Sequence, residues 1–258
     1  IKQSAIPAGA LLAGVAVPTL GLTVGWRWAF AGAAVLAVAS TILIPDQQPT
    51  APPAVRSDPS LPSTDAPTWI TLCFAVGAVF AAGTAGVLGA FLVSGAVDIG
   101  IADSAAGLLA ATASAVSIVT RLLLGVRADR RGSGHLLVVA GMLIAGSAAF
   151  ALLATGRVPL FVLAAPLAFG LSWSWPGLFN LSMVRHHPQA PGAATGITQT
   201  GIYIGAVTGP FLFGVVADGG YGGAWAMAGC WSVIAGLLMG GSRTILIRHR
   251  RARAEETT

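Results

Sequence analysis

Uncharged stretches recur along the chain at one characteristic length. Cutting the sequence at every Lys, Arg, Asp and Glu leaves eight long ones: 3–26, 28–45, 66–97, 104–120, 132–156, 158–184, 188–217 and 219–242. About 17 to 25 apolar residues in a helix cross the hydrocarbon layer of a bilayer, so each stretch can hold one spanning helix. The helices of a soluble α/β protein would show a polar face every turn, and these stretches do not. The pattern predicts an all-α, polytopic membrane protein with eight spanning helices.

Composition agrees. Of 258 residues, 55% are hydrophobic and only 9% are charged, against roughly a quarter charged in a soluble domain. The net charge of +5 raises nucleic acid as a partner, but its distribution points to membrane topology instead. With the stretches taken as helices, Lys2, Arg56, Arg121, Arg127, Arg130, Arg131, Arg185, Arg243, Arg248, Arg250, Arg251 and Arg253 fall on one side, and only Arg27 and Arg157 on the other. The positive-inside rule makes the first side cytoplasmic, with both chain ends inside. The terminal RHRRAR run then reads as a topology anchor at anionic headgroups, and no nucleic acid is expected. Cys73 and Cys230 stand in separate apolar stretches without a CxxC partner, which predicts neither disulfide nor metal.

Residues 46–67, DQQPTAPPAVRSDPSLPSTDAP, are rich in Pro, Ser and acidic groups and read as an extended, solvated linker. The remaining connections are short, so successive helices are expected to pack as antiparallel neighbours. A weak repeat runs through the chain. Gln3 and Gly9 recur 196 residues later as Gln199 and Gly205, and Trp28 and Gly32 recur 197 residues later as Trp225 and Gly229. The first helix thereby matches the seventh, and the repeating unit is six helices. With Ile1 as its first residue and no initiator Met, the chain is expected to start at the fifth helix of the first unit.

Six helices, a linker and six helices resemble the major facilitator superfamily, whose two halves are related by an axis along the membrane normal. The resemblance implies an MFS-type bundle holding helices 5 to 12 of twelve. Its parts would be 1–45, the last two helices of the N-terminal half; 46–67, a cytoplasmic linker; 68–248, the complete C-terminal half; and 249–258, a basic then acidic cytoplasmic tail.

Residues Gly125 to Gly132, GVRADRRG, resemble the cytoplasmic loop motif of that superfamily. The resemblance implies a gate built from Gly125, Arg127, Asp129, Arg130 and Gly132. Gly125 would permit close helix contact, Asp129 would cap or ion-pair at a neighbouring helix end, and Arg130 would hold the partner charge. Ser133 and Gly134 depart from the motif's usual basic pair.

Further along, Gly201, Gly205 and Gly209 keep a four-residue spacing and precede Pro210. They predict a smooth packing ridge followed by a hinge. Gln199 and Tyr203 lie on the other side of that helix, and polar groups in a bilayer are costly unless paired or facing a wet cavity. In GLSWSWPGLFN, a continuous helix would put Trp173, Pro176, Gly177 and Asn180 on one face, with Trp175 on another. Trp173, Asn180, Gln199 and Tyr203 are therefore the expected lining of a solute cavity.

Enzymatic chemistry finds no support. Every Asp and Glu lies outside the apolar stretches or at their margins, His186 and His187 read as a solvated loop beside Pro188, and no P-loop occurs. Neither cofactor nor metal is expected. The resemblance implies a secondary transporter in the plasma membrane that moves a small solute by alternating access, with a coupling ion as a further partner. The alternative is a truncated, non-transporting remnant or a partner-binding membrane protein.

Overall fold

The computed structural model describes residues 5–21, 23–42 and 65–255. Those residues are helical almost throughout, with no strand among them. In chain order the helices are α1 (Ala5–Ala16), α2 (Trp26–Ile42), α3 (Thr68–Asp98), α4 (Asp103–Arg130), α5 (His135–Ala154), α6 (Val158–Ser172), α7 (Pro176–His186), α8 (Pro191–Ala217) and α9 (Tyr221–Glu255). A five-residue π-helical turn, Val17–Gly21, follows α1. It contains Pro18, which has no N–H to donate and so loosens the helical ladder.

Counting α6 and α7 together, six spans are long and apolar enough to cross a membrane. The two helices before them are shorter, 12 and 17 residues. The chain is thus a polytopic all-α membrane protein. The expectations for Lys2, Gln3, Arg56 and linker residues 46–64 lie outside the described residues. The predicted tail, as far as Glu255, continues α9 as helix.

Short turns at Ile99–Ala102, Thr155–Arg157 and Asp218–Gly220 close one end of the six-span bundle. The opposite end carries the connections 131–134 and 187–190 together with the start of α3 and the end of α9. Arg127, Arg130, Arg131, Arg185, Arg248, Arg250 and Arg251 all gather there. Arg157 belongs to the other end.

The closest helix pairing is set by glycine. In α8, a Cβ at Gly201 would collide with Ala75 O, one at Gly205 with Val79 O, and one at Gly209 would lie 2.5 Å from the Gly83 Cα. All three contacts are with the backbone of α3, which cannot give way. Both helices are so close that dispersion contacts and small residues, rather than interlocking large side chains, hold them. Pro210 continues the contact, since a Cβ on Gly86 of α3 would stand 3.1 Å from its ring. Gly9, the sequence partner of Gly205, has nothing within 4 Å of its would-be Cβ among the described residues.

Large side chains form two apolar clusters stacked along the bundle axis. One, toward the basic end, contains Phe74, Leu143, Trp175, Phe179 and Met239. The other, toward the opposite end, is built on Trp225, which meets Phe150, Phe161 and Phe213 at ring centroid distances of 6.3, 6.1 and 4.7 Å. Between them α3, α4, the α6–α7 span and α9 contribute buried small polar or charged residues: Thr84, Ser117, Arg121, Ser172, Ser174 and Ser232.

Replacing Gly205 by Leu forces atoms into the α3 backbone. Overpacking of that kind costs about 1–3 kcal/mol or more. Thermal unfolding in detergent should fall well below that of the unaltered protein. Gly196→Ala, at a position with nothing within 4 Å, should leave the same transition in place.

Candidate functional site

The fourth span is interrupted. Helix α6 stops at Ser172, α7 begins at Pro176, and Trp173 to Trp175 form a bend between them. A broken helix leaves carbonyl and N–H groups without intrahelical partners, and inside a bilayer no bulk water is present to take their place. Pro176 at the start of α7 removes one N–H from the problem, since proline has none to donate.

Helix α4 supplies the remaining partners. Arg121 donates from its guanidinium to Trp173 O and, through Nε, to Ser117 Oγ at 3.4 Å. Ser117 Oγ lies 3.0 Å from Ser174 Oγ, which also stands 3.2 Å from Phe169 O at the frayed end of α6. Farther across the bundle, Ser172 Oγ is 3.5 Å from Ser232 Oγ, and Ser232 donates to Leu143 O at 2.6 Å. A polar seam therefore crosses the interior from α4, through the break, to α9 and α5. Ser114 belongs to the same face of α4, three residues before Ser117, and its buried hydroxyl has no partner among the described residues.

Arg121 is the residue that sequence reasoning misplaces. Cutting the chain at charges makes any Arg a boundary and groups this one with the loop arginines. It sits nine residues before the end of α4, about 14 Å along the helix at 1.5 Å per residue, and is only 8% exposed. The available signal is its spacing from Ser114 and Ser117, which puts all three on one helical face.

The predicted cavity residues do not form one surface. Because the helix breaks at Trp173, the face shared by Trp173 and Asn180 does not exist. The Trp173 ring packs edge-on against Phe169, with centroids 4.5 Å apart, and reaches Gly89 of α3. Asn180 sits past the break, half-buried, and its Oδ1 has no partner among the described residues. Trp175 is buried in the core against Phe179. In α8, Gln199 is half-buried and Tyr203 is 63% exposed, on the side away from the glycine contact.

The loop motif also differs from expectation. Helix α4 runs straight on through Gly125 to Arg130, so Gly125 faces outward and has nothing within 4 Å of its would-be Cβ. No close helix contact is made there among the described residues. Asp129 and Arg130 are exposed and pair with no other described residue. Arg127 is half-buried, and Gly132 is held instead by Arg185, whose Nη1 donates to its carbonyl at 2.8 Å. Gly134, where the sequence departs from the motif, shapes the turn into α5: its φ of +83° is a conformation that favours glycine.

His186 and His187 are not a solvated loop. The His187 ring is buried, with Nε2 2.7 Å from Thr71 Oγ1 and Nδ1 2.9 Å from Met183 O. His186 accepts from Arg250 at Nδ1 (3.1 Å) and at its carbonyl O (3.2 Å). Asp65, at the edge of the linker, accepts from the N–H of Gln189 at 2.9 Å, and Ala66 N–H donates to His186 O at 3.0 Å. These bonds tie the start of α3 to the connection between α7 and α8. Among the described residues no three His, Cys, Asp or Glu come together as a metal site would need.

Chemically, the seam offers hydroxyl groups and one guanidinium within an apolar bundle. That inventory suits binding and orientation of a polar solute. Two comparisons bear on it. The family described as Major Facilitator Superfamily matches residues 74–256, which takes in nearly all six spans of the bundle. No curated protein matches the chain.

The Ser117–Ser174 contact can be weighed by a double-mutant cycle. Interhelical hydrogen bonds in membranes are worth about 0.6 kcal/mol on average. Ser117→Ala and Ser174→Ala should therefore show a coupling of about 0.5–1 kcal/mol. Pairing Ser174→Ala with Thr208→Ala, an exposed site on α8, should show none.

Proposed function

This chain belongs to the major facilitator superfamily, and from that premise we propose that it moves a small organic solute across a membrane by alternating access. The observation that carries this reading is the family match over residues 74–256, joined to a broken span at mid-bundle. Superfamily carriers bind small solutes within a bilayer, and discontinuous helices near the midplane are where transporters place such sites.

In this reading α3 to α9 form one six-helix half and α1 and α2 are the last two helices of the other. The halves meet where α1 crosses α4. A Cβ at Gly14 would be 2.7 Å from Gly107 O and 2.8 Å from Ala111 N. A contact between smooth, small-residue surfaces allows one half to rock on the other with little interlocking to undo. The basic end faces the cytoplasm of the plasma membrane, by the excess of arginine there. Asp129 and Arg130, exposed and unpaired with described residues, are the groups of the loop motif that would find partners in the alternate conformation.

The solute sits beside the polar seam, with Trp173 and Asn180 flanking the break, while Gln199 and Tyr203 lie on the face of α8 turned away from α3, open to the other half of the carrier. Arg121 fixes the break by holding Trp173 O, and an intramembrane cation of this kind is by default a functional group. Coupling to an ion is left to groups other than carboxylates of these spans, since every Asp and Glu of the sequence lies at a span margin or outside.

The test is transport by the intact gene product in liposomes with an imposed solute or ion gradient, over a broad metabolite panel. Uptake of one class is expected. Replacing Arg121 by Ala should lower kcat/KM at least tenfold, which is about 1.4 kcal/mol of lost stabilisation, while the protein still inserts and elutes as one species. Absence of uptake across the panel would remove the proposal.

A further inference from the structure

A cavity lies at the basic end, away from the polar seam. It has a volume of about 280 Å³ and opens between the start of α5, the end of α7 and the last turns of α9. Its charged lining is of one sign: Arg185, Arg243 and Arg250, with His135 and His186 beside them and Ser133 at the rim. Among the described residues no carboxylate lines it.

The arginines are set in place by their neighbours. Arg185 is anchored through Nη1, to Gly132 O at 2.8 Å and against His135 Nε2 at 2.9 Å. Arg250 is anchored on His186, through Nη1 to the ring and Nη2 to the carbonyl. A guanidinium has five N–H groups in a fixed fork, so both keep donors beyond those that anchor them. Arg243 is half-buried and makes no hydrogen bond with a described residue.

Helix α5 adds to the same field. Its N-cap is Gly134, which makes no side-chain capping bond. The first N–H groups of the helix have no partner among the described residues and lie at its positive end, beside the cavity that Gly134 and His135 line. Three guanidiniums and a helix N-terminus around one void repel each other unless an anion occupies it. One wall is apolar, from Leu246 and Ile247, so the occupant has a hydrophobic part as well as a charged one, or leaves that wall uncovered.

We propose that this cavity binds a phosphate group at the membrane surface, presented by an anionic phospholipid headgroup or by free phosphate. Phosphate matches the donors in number and geometry, since the guanidinium fork pairs two N–H groups with two of its oxygens. The location, at the arginine-rich end of a spanning bundle, is where basic pockets meet headgroups. The site is built from the α4–α5 connection, α5, α7 and α9, without any residue of the polar seam, and so it does not depend on the transport reading.

The intact protein, purified in detergent, is titrated with phosphatidylglycerol, with phosphatidylcholine and with inorganic phosphate at constant ionic strength. Binding is read by native mass spectrometry and by the rise in thermal unfolding temperature. Retention of phosphatidylglycerol over phosphatidylcholine identifies the lipid source, and a rise with phosphate alone identifies the free anion. Arg243→Gln removes a charge that makes no hydrogen bond with a described residue, and should weaken binding about fivefold, the worth of one basic residue near a headgroup. Arg251→Gln, an exposed neighbour outside the cavity, should bind as the unaltered protein does. No response to either ligand, or equal loss in both variants, would overturn the site, the second result because it means diffuse surface charge.

Discussion

A broken helix in a bilayer must find partners for its backbone without help from water, and that requirement organises the centre of this protein. The interruption at Trp173 to Trp175 frees carbonyls that hydrocarbon cannot satisfy. Arg121 and Ser174 meet them, Ser117 joins the two, and the serines of α9 and α6 extend the bonding across the bundle. The apolar clusters above and below then stack on this layer rather than merging into one core. A cation placed this deep would be costly alone. Here its burial and the break are solved together, because each supplies what the other lacks.

Rigidity elsewhere comes from the opposite device. The α3 and α8 backbones touch along Gly201, Gly205 and Gly209, where no side chain intervenes. Such a contact is specific without being polar: it tolerates no added carbon and makes no demand on hydrogen bonding. The bundle thus combines a dry, tight seam on one side with a hydrogen-bonded layer through its middle. A rigid pairing of α3 with α8 follows from the first, and a place for polar chemistry from the second.

The number of long spans in the bundle, the helical class and the gathering of arginine at one end are legible in the sequence, because membrane embedding writes itself into long uncharged runs. The glycine spacing in α8 is legible for a similar reason, since four residues nearly complete a turn. Individual polar residues are harder. Arg121 reads as a helix boundary when charge is used to cut the chain, while the helix that holds it runs 28 residues. Trp173 and Asn180 share one face only on a continuous helix, and a proline can start a new helix as readily as kink an old one. His186 and His187 look like loop residues because their partners, Arg250, Thr71 and Met183, include two from distant parts of the chain. Periodicity reports which face is wet or dry; it does not report where a helix stops, nor who stands across from it.

The length of α9 has a mechanical meaning. At 35 residues it measures about 52 Å at 1.5 Å per residue, against a hydrocarbon layer of about 30 Å. Its last turns, bearing Arg248, Arg250 and Arg251, stand clear of that layer as a stiff mast, stayed to His186 through Arg250. A stiff rod of this length carries any tilt of the span to its basic end, so a surface that grips those last turns has leverage on the helix beneath.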